Sequence, residues 1–342
     1  MNDDSGERVA GDERLARIDA ALRTGRGASV VDEACALVDA HPGWRDAQRA
    51  YLRVLLEWSA TQPELVTRAF PPPPAHRPVR VSALVCSNDR GRFDNVVANL
   101  RGRFAAPALE IVGIHDARSL AEGYNRAAAK ATGDLLVFAH DDIALVTDDF
   151  APRLCAHLER YDGVGVAGAS RIAGPRWDHA DPDALHGHVL HPPPEGARGM
   201  LLFVAGLQRP IAENVRVLDG AFLAVRRHVW EAHRFDEGRY DGFHLYDLDF
   251  TSRASAAGAR LAVPADLLLL HRSRGRFGAA WRRYADRFVA QHGLDPAAKP
   301  TPGGLQVRLD TGSQVDALRA ALLHFRYGAS RQRLAARNAP AG

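Results

Sequence analysis

The chain has 342 residues, of which 46% are hydrophobic and 25% charged, a balance that excludes a disordered or fibrous protein and leaves room for one large domain and a smaller one. Its 44 Lys and Arg against 41 Asp and Glu give a formal charge of +3, spread without a basic block, which argues against nucleic acid as a partner. The three cysteines, Cys35, Cys86 and Cys155, are far apart and odd in number, which points away from a disulfide framework or a zinc site and toward a reducing compartment.

The N-terminus from Met1 to Glu7 is acidic and polar, with no apolar leader, and no apolar run elsewhere is long enough to cross a bilayer. The reading is a cytoplasmic protein without a membrane span, its residues 1–11 disordered. From 12 to 70 apolar residues recur at helical spacing: Leu15, Ile18 and Leu22, then Ala34, Leu37 and Val38, then Ala50, Tyr51, Val54, Leu55 and Trp58. This predicts a small domain of antiparallel helices, similar in texture to a tetratricopeptide unit, broken at His41-Pro42-Gly43. Its apolar faces need a cover, either the main domain or a protein partner. Pro71 to Pro74 with Pro78 form a semi-rigid linker over 71–78.

Beyond the linker, short apolar runs alternate with helical segments, the rhythm of an α/β domain over 79–293. Val79–Cys86, Leu109–Ile114 and Leu135–Ala139 read as strands, with a helix from Ser119 to Ala131 that Ser119 and Glu122 cap at capping-box spacing. The third strand ends in His140-Asp141-Asp142. Adjacent carboxylates repel, so a fold keeps such a pair where a cation or a donor compensates it. Hard divalent cations take one or two carboxylates together with phosphate oxygens. Ligands of open α/β sheets bind at the carboxyl ends of strands, which brings Ser87, Asp116 and Asp141 to one crevice.

After a helix from Phe150 to Tyr161 and a strand at 164–168, the stretch 173–197 is rich in Pro, Gly and His and lacks core periodicity. It reads as a lid or acceptor loop in which Trp177 offers a sugar ring a face to stack on, or as a surface insertion. Val215–Val225 is a strand pair broken at Asp219-Gly220. Phe243 to Phe250 enters a helix that Gly258 ends, two short strands close at Pro264 and His271, and Trp281 to Gln291 is helical. Residues 294–342 form an extension with one helix, from Val315 to Phe325, and a flexible tail.

The order Ser87-Asn88, Tyr124-Asn125, Gly133-Asp134, His140-Asp141-Asp142, Asp219-Gly220, Tyr246-Asp247-Leu248-Asp249-Phe250 and His271 resembles the GT-A-fold glycosyltransferases of the family 2 type, with the StrF-like group as the nearest pattern. The resemblance covers roughly residues 79–291. It implies a nucleotide-diphosphate-sugar donor, a saccharide or other hydroxyl acceptor, and Mn2+ or Mg2+ held by Asp142 and His271. It implies donor contacts at Ser87, Asn88, Asp116, Asn125 and Asp141, and acceptor contacts at Trp177, Asp219 and Gly220. Asp247 matches the family's general base and Asp249 is its understudy, or else a helix cap. Two positions depart from the pattern: His140 stands where the family has an acidic residue, and Tyr246 where it has Glu. The chemistry asks for the same residue types, since a metal stabilises a leaving diphosphate and a carboxylate must take the proton of the acceptor hydroxyl. A sugar nucleotidyltransferase, or a catalytically degenerate scaffold that recruits a partner through its N-terminal helices, are the other readings.

Overall fold

The structure is a computed structural model that describes residues 4–41, 43–104, 109–181, 184–205, 210–273, 275, 277–296 and 303–337, with side chains of 4–9 and 326–337 left aside. The first helix, α1 (Asp4–Arg23), begins well before residue 12, so the expectation of disorder over 1–11 is corrected for every described residue there. Helices α2 (Val31–Ala40), α3 (Arg45–Ser59) and the short α4 (Leu65–Ala69) follow; Pro42, in the expected break between α2 and α3, lies outside the described residues.

The α/β part opens with β1 (Val81–Cys86), α5 (Arg90–Arg103), β2 (Leu109–Ile114), α6 (Leu120–Lys130) and β3 (Leu135–Ala139). Here β1 lies between β2 and β3, parallel to both, as short connecting helices require. Ser119 caps α6 as expected: its Oγ accepts the Glu122 N–H at 3.0 Å, while Glu122 Oε2 reaches one residue beyond the cap and accepts the Arg118 N–H at 3.0 Å. Then come β4 (Ile143–Leu145), α7 (Phe150–Arg160), β5 (Gly163–Gly165), β6 (Ala167–Ala169), β7 (Leu185–His191), β8 (Met200–Val204), β9 (Ile211–Ala212), β10 (Val217–Leu218) and β11 (Phe222–Arg226). The chain continues through α8 (Arg227–His233), α9 (Tyr246–Ala256), β12 (Leu261–Pro264), β13 (Leu269–His271), α10 (Ala279–Gln291), β14 (Leu305–Leu309) and α11 (Gly312–Arg337).

Two mixed sheets result. One has seven strands in the order β2-β1-β3-β11-β5-β12-β9, and the other runs β10-β6-β7-β13-β4 with β8 and β14 branching from β7. The strand expected at 164–168 is therefore two strands, one in each sheet. The expected lid is corrected as well, because 185–191 is β7 at the centre of the second sheet. Its pattern Leu-His-Gly-His-Val-Leu-His hides the strand, since imidazoles occupy buried positions where apolar residues would have signalled it. Gly187 is held at φ +110°, where an added Cβ would meet the Val166 carbonyl oxygen at 2.1 Å; only glycine fits.

Both chain ends meet on the second sheet. Ile18, Leu37, Val54 and Leu55 from the N-terminal helices share one core with Leu190, Leu202, Leu268, Leu309, Leu318 and Leu322. The apolar faces of α1–α4 are thus covered from within the chain. Among residues with described side chains, the large exposed apolar ones are Val146, Phe243 and Phe277, none of them in these helices. Among the described residues no helix is long and apolar enough to cross a membrane.

Candidate active site

Pairing of β4 with β13 sets His271 opposite Ile143, and this register carries His271 to the turn that follows β3. Its Nε2 lies 3.2 Å from Asp142 Oδ1. The Ser273 N–H donates to Asp142 Oδ2 at 3.1 Å, and the Arg272 N–H to the Asp142 carbonyl at 3.0 Å. Burial pushes the Asp142 carboxyl up, but the hydrogen bond and charge of His271 outweigh it and hold the group well below the usual carboxylate range. His271 is the mirror case: burial pulls it down, while the bond to Asp142 and the charges of Asp219 and Asp142 leave it raised.

His140 completes the group. Its ring centroid is 5.5 Å from that of His271, and burial followed by the charge of His271 lowers its pKa, keeping it a neutral imidazole. One ligand atom each from His140, Asp142 and His271 fit within 4.8 Å of one another. Two imidazole nitrogens and a carboxylate oxygen converging from two strand ends fit a divalent transition metal. The sequence reading pairs Asp142 with His271 and does not place His140 beside them.

Across from this cluster, the turn Asp219-Gly220 joins β10 to β11. Asp219 Oδ1 accepts the Ala221 N–H at 2.9 Å and its Oδ2 the indole N–H of Trp177 at 2.7 Å. Trp177 therefore stands fixed, its ring edge-on to Phe203 at 5.9 Å, and is not a free face on a mobile loop. Asp247, in the first turn of α9, accepts the Gly220 N–H through Oδ2 at 2.7 Å. Burial and the neighbouring charge of Asp219 push its carboxyl up to about 7. The helix starts after Leu245, which holds φ 64°, a left-handed conformation that costs a branched side chain energy and is found where the surrounding structure enforces it.

Asp249 has a different role. It is fully buried, paired with Arg253 at 2.8 Å and accepting from Gln291 Nε2 at 2.6 Å. Arg253 also donates to the carbonyls of His233 and Arg234 at 2.6 and 2.8 Å. The residue staples α9 to α10 and to the end of α8; the expectation of a helix cap is corrected, because the N-cap position is Leu245 and Asp249 lies inside the helix.

Of the residues expected to contact a donor, the structure brings Ser87 and Asp141 together, with Ser87 Oγ donating to Asp141 Oδ2 at 2.6 Å. Asn88 beside them is exposed. Asp116 leaves the adjacent strand β2 exposed and is gripped by Arg126 at 2.7 and 3.2 Å. Asn125 does not join them. Its amide donates to the Phe235 carbonyl and accepts from Trp230 Nε1 and the Phe235 N–H, at 2.9, 3.1 and 3.1 Å, bonds that tie α6 to α8 and the segment after it. Exposed Phe243, four residues ahead of Asp247, and exposed Phe277, under the Arg176 guanidinium at 4.0 Å, escaped the sequence reading because single surface aromatics carry no pattern.

This geometry defines an α/β protein with a carboxylate of raised pKa facing a histidine–aspartate cluster at the strand ends. The family described as glycosyltransferase like matches residues 82–292, and the chain belongs to that family. Solved structures similar to it include a mannosyltransferase from Pyrobaculum calidifontis in complex with GDP-Man and Mn2+, 16% identical over 85% of this chain and 87% of that one, TM-score 0.41. GalNAc-T7 with UDP, GalNAc and Mn2+ is 12% identical over 77% of this chain and 58% of that one, TM-score 0.43. A197 from STIV is 14% identical over 57% and 86%, TM-score 0.34. A comparison with curated protein sequences finds no match.

Proposed function

We propose that the chain moves a sugar from a nucleotide-diphosphate sugar to an acceptor hydroxyl, with inversion, and with Asp247 as the general base. The observation that carries this reading is the placement of Asp247 in the first turn of α9, held by the Gly220 N–H next to Asp219, where burial and that neighbouring charge push its carboxyl up to about 7. A carboxylate of that basicity is matched to taking a proton near neutral pH. The Gly220 N–H at 2.7 Å fixes one of its oxygens. We assign Ser87, Asn88, Asp116 and Asp141 to the donor, and Asp219, Gly220 and Trp177 to the acceptor. Within the family, the His-Asp-Asp turn and the YDxDF segment favour the StrF-like group.

Asp142, His271 and His140 would hold a divalent ion, which when bound supplies positive charge to the leaving diphosphate. With two imidazole nitrogens among its donors, the set suits Mn2+ better than Mg2+. Calorimetry of UDP, GDP and dTDP with and without Mn2+ tests the donor half of this reading. Binding of one nucleotide that depends on the metal is the expected result; equal binding in chelator removes the metal from the account.

A further inference from the structure

We propose that Tyr246 is a positioning residue that presents His140 to the metal through Nδ1, an inference that rests on the metal-dependent reading above. The Tyr246 ring is buried between Tyr124 and Phe235, with centroids 5.7 Å from each, and its hydroxyl lies 2.8 Å from His140 Nε2. A phenol has one proton, and the Gly220 carbonyl at 3.4 Å is an acceptor for it; the inference assigns the proton there. The oxygen's lone pair then accepts from Nε2–H. A neutral imidazole with its proton on Nε2 has its free lone pair on Nδ1, and that atom carries no hydrogen bond among the described residues. Metal-ligating histidines are oriented in this way, through a partner on the other ring nitrogen that fixes tautomer and plane.

The placement of the hydroxyl depends on residue 220. A Cβ there would come within 2.6 Å of Tyr246 Oη and 2.7 Å of Asp247 Oδ2, so glycine is what lets the start of α9 close over this turn. Tyr246 and Asp247, neighbours in the chain, thereby grip the two polar groups of Gly220, its carbonyl and its N–H. One turn of backbone sets both a metal ligand and the base. The two positions at which this chain departs from the family pattern, His140 and Tyr246, are a matched pair in contact.

The test is Mn2+ binding to the full-length protein without nucleotide, followed by electron paramagnetic resonance, for wild type, Tyr246→Phe, His140→Ala and the double variant. Tyr246→Phe keeps the ring packing and removes only the hydroxyl, and an unchanged melting temperature in chelator verifies the fold. We expect it to weaken Mn2+ by roughly tenfold to a hundredfold, and to add nothing on top of His140→Ala, because both act on the same ligand. Nitrogen chemical shifts of His140 in metal-free protein should show the proton on Nε2 in wild type and a tautomer mixture in Tyr246→Phe. Wild-type affinity in Tyr246→Phe overturns the inference while the metal reading stands, as does a double variant weaker than His140→Ala. Failure of the wild type to take up Mn2+ overturns both.

Discussion

The α/β half of the molecule and the helical cap built from its two ends hold together by different means. In the α/β half, ionisable groups are drawn into the interior beside one another: Asp247 is pushed up to about 7 by burial and by Asp219, while His140 is pulled down by burial and by His271. In the cap, Ile18, Leu37, Val54, Leu55, Leu318 and Leu322 interdigitate at zero to 2% exposure. Among its few buried charges is Arg319, which donates to the Ala265 carbonyl and the Asp316 carboxylate. Burying ionisable groups costs stability, and a protein does so at a functional site while an apolar core elsewhere offsets the cost. The family match ends at residue 292, before β14 and α11 begin, so the shared part is the half that carries the ionisable cluster.

That division is broken most forcefully at Asp247. Asp247→Asn keeps the Gly220 hydrogen bond but cannot take a proton, so turnover should fall by roughly a hundredfold to ten-thousandfold with donor affinity retained, about 3 to 5 kcal/mol on the barrier. Steady-state kinetics beside donor calorimetry separates the two quantities. In the cap, Leu318→Ala should cost about 2 to 5 kcal/mol of stability in denaturant titration and leave Mn2+ affinity of the folded protein unchanged. A variant that lost metal affinity while folded would show that the halves are coupled. Asp249→Asn falls between them: it lies in the α/β half but behaves as a structural residue, so it should lower stability by about 1.5 to 3 kcal/mol through its lost charged bonds with turnover nearly intact.

The pH dependence sharpens the same comparison. Protonated Asp247 cannot serve as base, so the rate should rise with pH through about 7 and level off above it. Stability should run the other way. A folded-state pKa raised from 3.8 to about 7 means that the folded chain binds this proton more tightly than the unfolded chain, so the group's contribution is lost as pH rises through about 7. Asp247→Asn removes the titration and should melt higher than wild type at pH 8, relative to their difference at pH 4. Equal pH profiles for the two proteins would place the ionisation elsewhere.

Much of the α/β half was legible because its signals are local. Strands β1, β2 and β3 are short apolar runs, Ser119 and Glu122 mark the start of α6, and Asp219-Gly220 breaks the pair β10 and β11 where the sequence suggests. What stayed hidden depends on contacts between distant segments. His140 and Tyr246 meet across 106 positions of sequence, and no pattern at either one predicts the bond. The cover of α3 and α4 comes in part from α11 at the other end of the chain. Strand β7 was hidden by its own composition, since His186 and His188 are buried at 4% and 1% exposure in places where the apolar rule expects a hydrocarbon side chain. Asp247 and Asp249 differ by two residues and look alike in sequence; only the fold sends one toward Gly220 and the other into an ion pair with Arg253.

The central claim is metal-dependent sugar transfer at the cluster of His140, Asp142, Asp247 and His271. Incubating the full-length protein with a panel of nucleotide sugars, with Mn2+ or with chelator, and following release of nucleoside diphosphate tests it most directly. The account predicts release from at least one donor in Mn2+, abolished by chelator and by Asp142→Asn; release that survives both, or pyrophosphate in its place, would contradict it.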